Sequence, residues 1–520
     1  MPGSMVNTTS KPSTVVSCPG KVLFAGGYLV LDPAYRGFVV GTPSRFYTAV
    51  QDDDLSRREA NETDAEEQFR VTVVSPQFED GKWVFEARKT DGEWVVNAVP
   101  AEGSSSNTFV HLSIQATLQI ASALSPATSF RDLLITIVGS NDFYSQSRAT
   151  NKPIPFAPLK CTIGKVHKTG LGSSAAMVTS LTSSLLLHWT APPFASSTSS
   201  DGLPNPDEDT IALMHNLAQY VHSLAQGKVG SGFDVSAAVY GSQEYKRFAI
   251  ECLEDLLDPT STRGCKITSQ ALLSVLSSGQ NPAWTASATA GSVLPFSLPP
   301  HTLLILADVD AGSNTPSMVG KVNAWKKAQP EEADRVWREL GEVNERFREL
   351  FAKLTEAREK HEEDYVKEVE RLSKLPAQEW SSSTLPIAAA ATNILEFRSL
   401  MRYMGEQSGV PIEPPEQTQL LDACSAIPGV VGAGVPGAGG YDAIWVLCLA
   451  PPTFSSSSSS PSPASEVEAL LRSYTGMSVR PLSTNAWVKG GTFEGEAGLL
   501  REKVEGVDGL REAMDRGRKQ

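Results

Sequence analysis

A chain of 520 residues is too long for one small core, so its length predicts two domains. Hydrophobic residues make up 41% and charged residues 20%, an ordinary globular balance, while 59 acidic against 45 basic side chains leave a net charge of -14. That sign excludes a general nucleic-acid binder, so any phosphorylated ligand has to be held by a local cluster of cations.

In chain order, "VLFAGGYLVL" (22–31) and "FVVGT" (38–42) read as early strands, and "DLLITIVGS" (132–140) as another, all rich in β-branched and aliphatic residues. "KTGLGSSAAMVTS" (168–180) reads as a glycine-rich loop entering a helix, with Ser173 and Ser174 available as caps and an apolar body over 177–187. The Pro/Ser-rich stretch near 191–210 breaks the pattern as a surface insertion, and a helix follows over 211–225. "GKVGSGFDVSAAVYGS" (227–242) is glycine-punctuated, then β-like. Residues 257–300 show little period until "HTLLILADVD" (301–310) starts a buried strand. That restart places a domain boundary near Pro299, giving an N-terminal domain over 1–298, a C-terminal domain over 299–487 and a tail over 488–520. Val336, Leu340, Val343, Phe347, Leu350 and Leu354 mark one face of a charged amphipathic helix. "TNILEFRSLMRYMGEQSG" (392–409) is a second helix with a glycine stop, and residues 430–450 read as a strand, a glycine turn and a strand. The serine run 455–460 lies in a solvated connection near 453–465, and the charged end is a peripheral helix or tail. No fixed-period repeat is visible.

Six cysteines, Cys18, Cys161, Cys252, Cys265, Cys424 and Cys448, lack paired spacing, which points to reduced thiols. With no apolar run long enough for a bilayer and no hydrophobic signal core in "MPGSMVNTTSKPSTVV", the expectation is a cytoplasmic protein without membrane or nucleic-acid partners.

Four glycine-containing segments are candidates for chemistry. In "SCPGKVLFAGGYLVLD" (17–32), Lys21 follows a Pro-Gly turn at a strand mouth, where it is either a surface lysine or a cation in a cleft. In the loop at 168–180, free N–H groups and the positive end of a helix dipole face one point, and Lys168 adds a cation beside them. The loop is neither a Walker A sequence nor GxGxxG. Asp234, after Gly230 and Gly232, is either a turn-stabilising cap or a positioned base. "GAGVPGAGGYDAI" (432–444) is either a bulged hairpin or backbone that approaches a ligand. Beside these stand the hydroxyls Ser313, Thr315 and Ser317, and Arg398 with Arg402, four apart on one helical face, either solvated or a phosphate fork.

The ordered set "PGKVLFAGGYLVLD", "NDFYSQ", "KTGLGSSAA", "AQGKVGSGFDVSAAVYGS", "GSNTPSMV", "PIEPPEQTQLLDA" and "GAGVPGAGGYDAI" resembles the GHMP kinases over residues 17–444. The resemblance implies a mixed α/β, two-domain fold with an active site in the cleft. Its N-terminal domain would have left-handed βαβ, ribosomal-protein-like features and its C-terminal domain would be ferredoxin-like. It implies ATP-dependent phosphorylation of 5-phosphomevalonate to 5-diphosphomevalonate, in isoprenoid and sterol synthesis, by a monomer or homodimer. Lys21 and Asp234 match the catalytic positions. ATP would rest on Lys168, Gly170, Leu171, Gly172, Ser173, Ser174, Ala175 and Ala176, with Ser174 near Mg²⁺. Tyr28, Ser145, Lys165, Ser231, Ser313, Thr315, Arg398 and Gly439 would bind the acceptor. Two departures stand out. Val166, flanked by Lys165 and Lys168, replaces a family proline, and residues 211–228 hold no carboxylate that could serve the metal, as a glutamate does in mevalonate kinase. Mevalonate kinase, diphosphomevalonate decarboxylase and a catalytically silent relative are the alternatives. The "GSNTPSMV" segment and the extra lysines argue against the first two, and the intact loop, Lys21 and Asp234 against the third.

Overall fold

The protein is described by a computed structural model over residues 13–53, 67–100, 106–145, 154–190, 194–198, 203–257, 267–284, 293–309, 315–452, 461–482 and 497–520. Two large sheets organise it. One has nine strands, drawn from residues before 296 and from the C-terminal end, and the other has four strands between Thr302 and Pro481. Pro299 lies between Leu294–Pro295 of the first sheet and Thr302–Val309 of the second.

The first sheet is built on the strand Thr14–Ala25, which pairs antiparallel with the longer strand Arg36–Asp52. Both are nearly continuous runs of buried residues, as strands covered on two faces must be. The stretch expected as one strand over 22–31 divides in two. Gly26 and Gly27 take φ of 118° and 44°, and Gly27–Leu31 coils into a short 3-10 turn. The helix Ser173–Trp189 crosses this sheet between the helices Thr108–Leu124, Glu208–Gln226 and Phe233–Tyr240. Its small and apolar residues are buried on every side, so it is a central helix with no solvent stripe.

Residues 233–240, expected as β-like, form a helix. Val235 and Val239 stand four apart, so both bury on one helical face, and a short apolar run carries no period that separates the two states. The stretch near 191–210 holds a two-stranded ribbon, Phe194–Thr198 against Pro204–Pro206, before the next helix starts at Glu208. The serine run 455–460 lies outside the described residues.

The second sheet has the order Val430–Gly434, Ala443–Leu449, Thr302–Val309, Val479–Pro481, all antiparallel. With helices after its first strand and before its last, this is the β-α-β-β-α-β arrangement of a ferredoxin-like domain. The charged amphipathic segment forms the 31-residue helix Pro330–Lys360, and the helix Ile387–Ser408 ends at Gly409 with φ of 63°. Phe24, near the end of the first strand, packs 4.5 Å from Trp445 and 5.5 Å from Phe347, ring centre to ring centre. One apolar cluster therefore runs through both lobes. Among the described residues no helix is long and apolar enough to cross a membrane.

The C-terminal end, expected as a peripheral helix or tail, forms a helix and also adds a strand to the first sheet. Leu500–Glu502 adds a strand to the free edge of Thr14–Ala25, and the helix Leu510–Arg518 lays Leu510, Ala513 and Met514 on Val15, Ala49 and Val138. Arg45 fixes the entry to this segment: it donates to the carbonyls of Ala497 at 3.0 Å and Gly498 at 2.5 Å, and to Ser17 Oγ at 2.8 Å. Arg45→Met removes these charge-assisted hydrogen bonds, an expected cost of roughly 2–3 kcal/mol. Limited proteolysis should then cut within residues 497–518 before the rest of the lobe; unchanged protection of this segment would show that other contacts hold it.

Candidate active site

The strand mouth and the glycine loop meet at Lys21. Its amide donates to the Leu171 carbonyl at 2.9 Å, and its ammonium donates to the Gly170 carbonyl at 2.8 Å. Such proximity requires the glycine before it. A Cβ on Gly20 would stand 2.7 Å from Thr42 Oγ1 and 2.9 Å from the Leu171 carbonyl. Gly172, with φ of 76°, takes the cap position of the helix Ser173–Trp189, and a Cβ there would press on the Lys21 stem at 3.1 Å. Ser173 and Ser174 make no side-chain cap. Ser173 is buried, and the Ser174 hydroxyl turns to His222 instead. Ala175 and Ala176 bury their side chains, leaving backbone as what this turn can offer an anion.

Asp234 stands in the first turn of Phe233–Tyr240, with Oδ1 accepting from the Val235 amide. Burial holds the Lys21 ammonium below the ordinary lysine range, and the charges of Asp234 and then Asp442 act in the opposite direction. The Phe233 ring lies 5.3 Å from Nζ. Asp442, in the hairpin of the second lobe, comes close enough that a Cβ on Gly170 would lie 3.9 Å from its own. Lys21 is thus flanked by carboxylates from both lobes.

His222, on the helix Glu208–Gln226, has Nε2 3.1 Å from Ser174 Oγ and 4.0 Å from Asp234 Oδ2. Neither His222 nor Asp442 was singled out from the sequence. One is a polar residue inside an amphipathic helix, the other an acid closing a glycine run, and neither pattern separates a site residue from a packing one.

The other expected residues distribute unevenly. Lys165 and Lys168 are exposed beside the loop. Ser145 donates to Asp308 of the second lobe at 2.7 Å, and Arg480, also unforeseen, donates to the Tyr144 carbonyl at 3.2 Å. Tyr28 is buried and donates to the Ala438 carbonyl, a strut between lobes. Ser231 gives its carbonyl to Tyr245. Thr315 is exposed at the start of the helix Thr315–Ala328, and Ser313 lies outside the described residues. Gly439, expected to approach a ligand, instead faces the Ile412 carbonyl, which a Cβ would meet at 2.2 Å. Arg398, expected to hold the acceptor, has a side chain only 2% exposed. Its guanidinium is taken by Glu413 at 2.7 Å and Asp422 at 2.9 Å. Arg402, on the same face, joins it on Glu413 at 2.8 Å. Its Nε and Nη2 donors are thus engaged by carboxylates in a buried fork.

The family model of the GHMP kinases C terminal matches residues 387–474. The phosphomevalonate kinase erg8 of Aspergillus fumigatus is 36% identical over 462 residues, 84% of this chain and 87% of that one. The peroxisomal phosphomevalonate kinase of Arabidopsis thaliana is 36% identical over 475 residues, covering 84% and 90% respectively. Among solved structures, a Lin0012 protein from Listeria innocua superposes with a TM-score of 0.54 at 15% identity, over 90% of this chain and 96% of that one, a likeness of fold.

Two outcomes follow from these contacts. A lysine is charged below its pKa, so anything that needs the Lys21 ammonium is lost as pH rises through a value below that of an ordinary lysine. Asp234→Asn removes the larger of the two opposing charges and should move that loss to still lower pH, readable by NMR of ¹³Cε-lysine; an unmoved titration would separate the two groups. Arg398→Ala leaves buried Glu413 to Arg402 and Thr418 and should cost about 3 kcal/mol, the low end for a broken buried pair. Thermal melting decides, and a variant that melts with the parent would return Arg398 to the candidate ligands.

Proposed function

The chain belongs to the phosphomevalonate kinases, within the GHMP kinases, and we propose that its reaction takes place in the cleft where the glycine loop, Lys21 and Asp234 meet. The protein transfers the γ-phosphoryl group of ATP to (R)-5-phosphomevalonate, giving ADP and (R)-5-diphosphomevalonate. A bond forms between an acceptor phosphate oxygen and the γ-phosphorus as the bond from that phosphorus to the β–γ bridging oxygen breaks. An acceptor already anionic near neutral pH needs no strong base, so the work of the site is positioning and charge neutralisation.

The observation that carries this reading is the placement of Lys21, held on the Gly170 carbonyl beside the free end of the loop helix and between Asp234 and Asp442. ATP phosphates would take the N–H groups at Ser173, Ser174 and Ala175, with Lys168 at the loop mouth. Lys21 would stand between the two anions as they meet, and Asp234 would hold its ammonium in line. Lys165 and Ser145 are the groups proposed for the acceptor phosphate, in place of Arg398. Mg²⁺ would be held by Ser174 Oγ and Asp234, a hydroxyl and a carboxylate that suit a hard cation and that converge on one imidazole. When bound, the ion neutralises charge on the transferred and leaving phosphates. The cytoplasm is the proposed compartment, in keeping with the free thiols of Cys18, Cys161, Cys252, Cys424 and Cys448.

ADP release measured with mevalonate, 5-phosphomevalonate, galactose and homoserine should be stimulated by 5-phosphomevalonate alone. Stimulation by an unphosphorylated acceptor would refute the assignment of substrate. Lys21→Met keeps the stem and deletes the charge, so kcat should fall roughly 10²–10³-fold, the scale of one preorganised electrostatic donor. Gly172→Val forces a branched side chain onto the Lys21 stem at a positive φ and should abolish ATP binding in calorimetry; retained affinity in a folded variant would remove the loop from the site.

A further inference from the structure

Three successive carbonyls before the helix of Asp234, those of Gly230, Ser231 and Gly232, are each taken by a side chain. Arg247 Nη2 donates to Gly230 at 2.7 Å, the Tyr245 hydroxyl to Ser231 at 2.5 Å, and the Gln219 amide to Gly232 at 2.7 Å. Packing closes the segment from behind. Gly232 has φ of 78°, and a Cβ there would stand 2.6 Å from the Phe248 ring and 3.0 Å from the Gln219 amide.

Arg247 differs from the other two donors in its second contact. It is half-buried, just past the short strand Gln243–Lys246, and its Nη1 donates to the Leu31 carbonyl at 2.8 Å. Leu31 ends the turn Gly27–Leu31, which continues the strand that carries Lys21 and holds Tyr28 against the second lobe. One guanidinium therefore spans the two stretches of chain on which Lys21 and Asp234 stand. A guanidinium suits this place because its donors form a rigid planar fork, so the carbonyls they meet keep a set spacing. Burial disfavours its charged form, and the surrounding Tyr245, Glu254, Glu251 and Asp32 favour it.

Resting on the reading of Lys21 and Asp234 as the groups that meet the phosphates, we propose that Arg247 is a positioning residue for phosphoryl transfer. It acts through Asp234, tying the segment before that residue to the turn that follows the strand of Lys21. Tyr245 and Gln219 set the shape of the segment, and Arg247 sets its distance from the lysine. The distance matters because a misplacement of about 1 Å at a reacting group costs about 10²-fold in rate.

The test compares variants of the full chain in steady-state kinetics with 5-phosphomevalonate. Arg247→Ala should lower kcat roughly 10²-fold and leave the KM for ATP within about threefold of the parent. With Asp234 no longer held near it, the Lys21 ammonium should also titrate at lower pH in ¹³Cε-lysine NMR, which a loss of stability alone does not produce. Arg247→Lys keeps the charge and most of the stem but reaches one carbonyl at a time, so kcat should fall nearly as far. This second variant decides if Arg247→Ala does not fold. The parent's kcat in either variant overturns the proposal, and so does a loss of kcat with the Lys21 titration unmoved. A rise in the KM for ATP as large as the fall in kcat overturns it too, since the defect would then lie in nucleotide binding. Lys21→Met, measured beside them, separates the two levels of the argument. If it also keeps the parent's kcat, the reacting groups themselves are misassigned; if it alone loses kcat, only the role of Arg247 falls.

Discussion

The Lys21 amide reaches the Leu171 carbonyl at 2.9 Å, and this one contact sets the strand, the loop and the lysine in register. It is possible because Gly20 has no side chain to meet Thr42 and the same carbonyl. With the backbones this close, the ammonium falls naturally on the next carbonyl of the loop, Gly170, and its stem runs beneath Gly172. A substitution anywhere in this contact moves the charge and the anion cradle together.

The electrostatics of the site run against the protein's overall sign. A molecule of net charge -14 repels an ATP tetraanion at long range, so attraction has to come from groups within a few ångströms. In the proposed assignment exposed Lys165 and Lys168 would supply it at the mouth and Lys21 inside. The carboxylates around Lys21 come from separate lobes, so its environment depends on how the lobes sit. Several contacts fix that arrangement: Tyr28 on Ala438, Ser145 on Asp308, and the Gly437 amide on the Leu23 carbonyl. Beneath them Phe24 is packed into the second lobe against Trp445 and Phe347, which favours a cleft that flexes at its rim over one that hinges freely.

Much of this was legible in the sequence where the pattern was long or chemically distinctive. The amphipathic helix at 330–360 and the glycine stop at 409 announce themselves by period and by backbone demand. So do the loop glycines, since few other sequences serve a left-handed turn ahead of a helix. What stayed hidden was tertiary. Arg398 and Arg402 share a helical face in sequence and in structure, but nothing local says that Glu413 will be buried between them. The short helix at 233–240 mixes valines with small residues and has no length to show a period. His222 reads as any polar residue in an amphipathic helix until Ser174 and Asp234 arrive from elsewhere in the chain.

The return of residues 500–502 to the edge of the first sheet has a consequence for how the protein is made. Ser17 and Glu502, joined side chain to side chain at 2.6 Å, lie 485 residues apart in the chain. At about 5–20 residues per second, synthesis leaves the outer edge of the strand Thr14–Ala25 without its partner for roughly 25–100 s. During that interval the emerging first lobe carries an open row of backbone donors and acceptors beside the uncovered apolar patch of Val15, Ala49 and Val138. The second lobe is, topologically, an insertion into the first, and the strand nearest the start of the chain is sealed only by its end. Chaperone occupancy on the ribosome should therefore concentrate on this edge, and a chain stalled before residue 497 should aggregate through it.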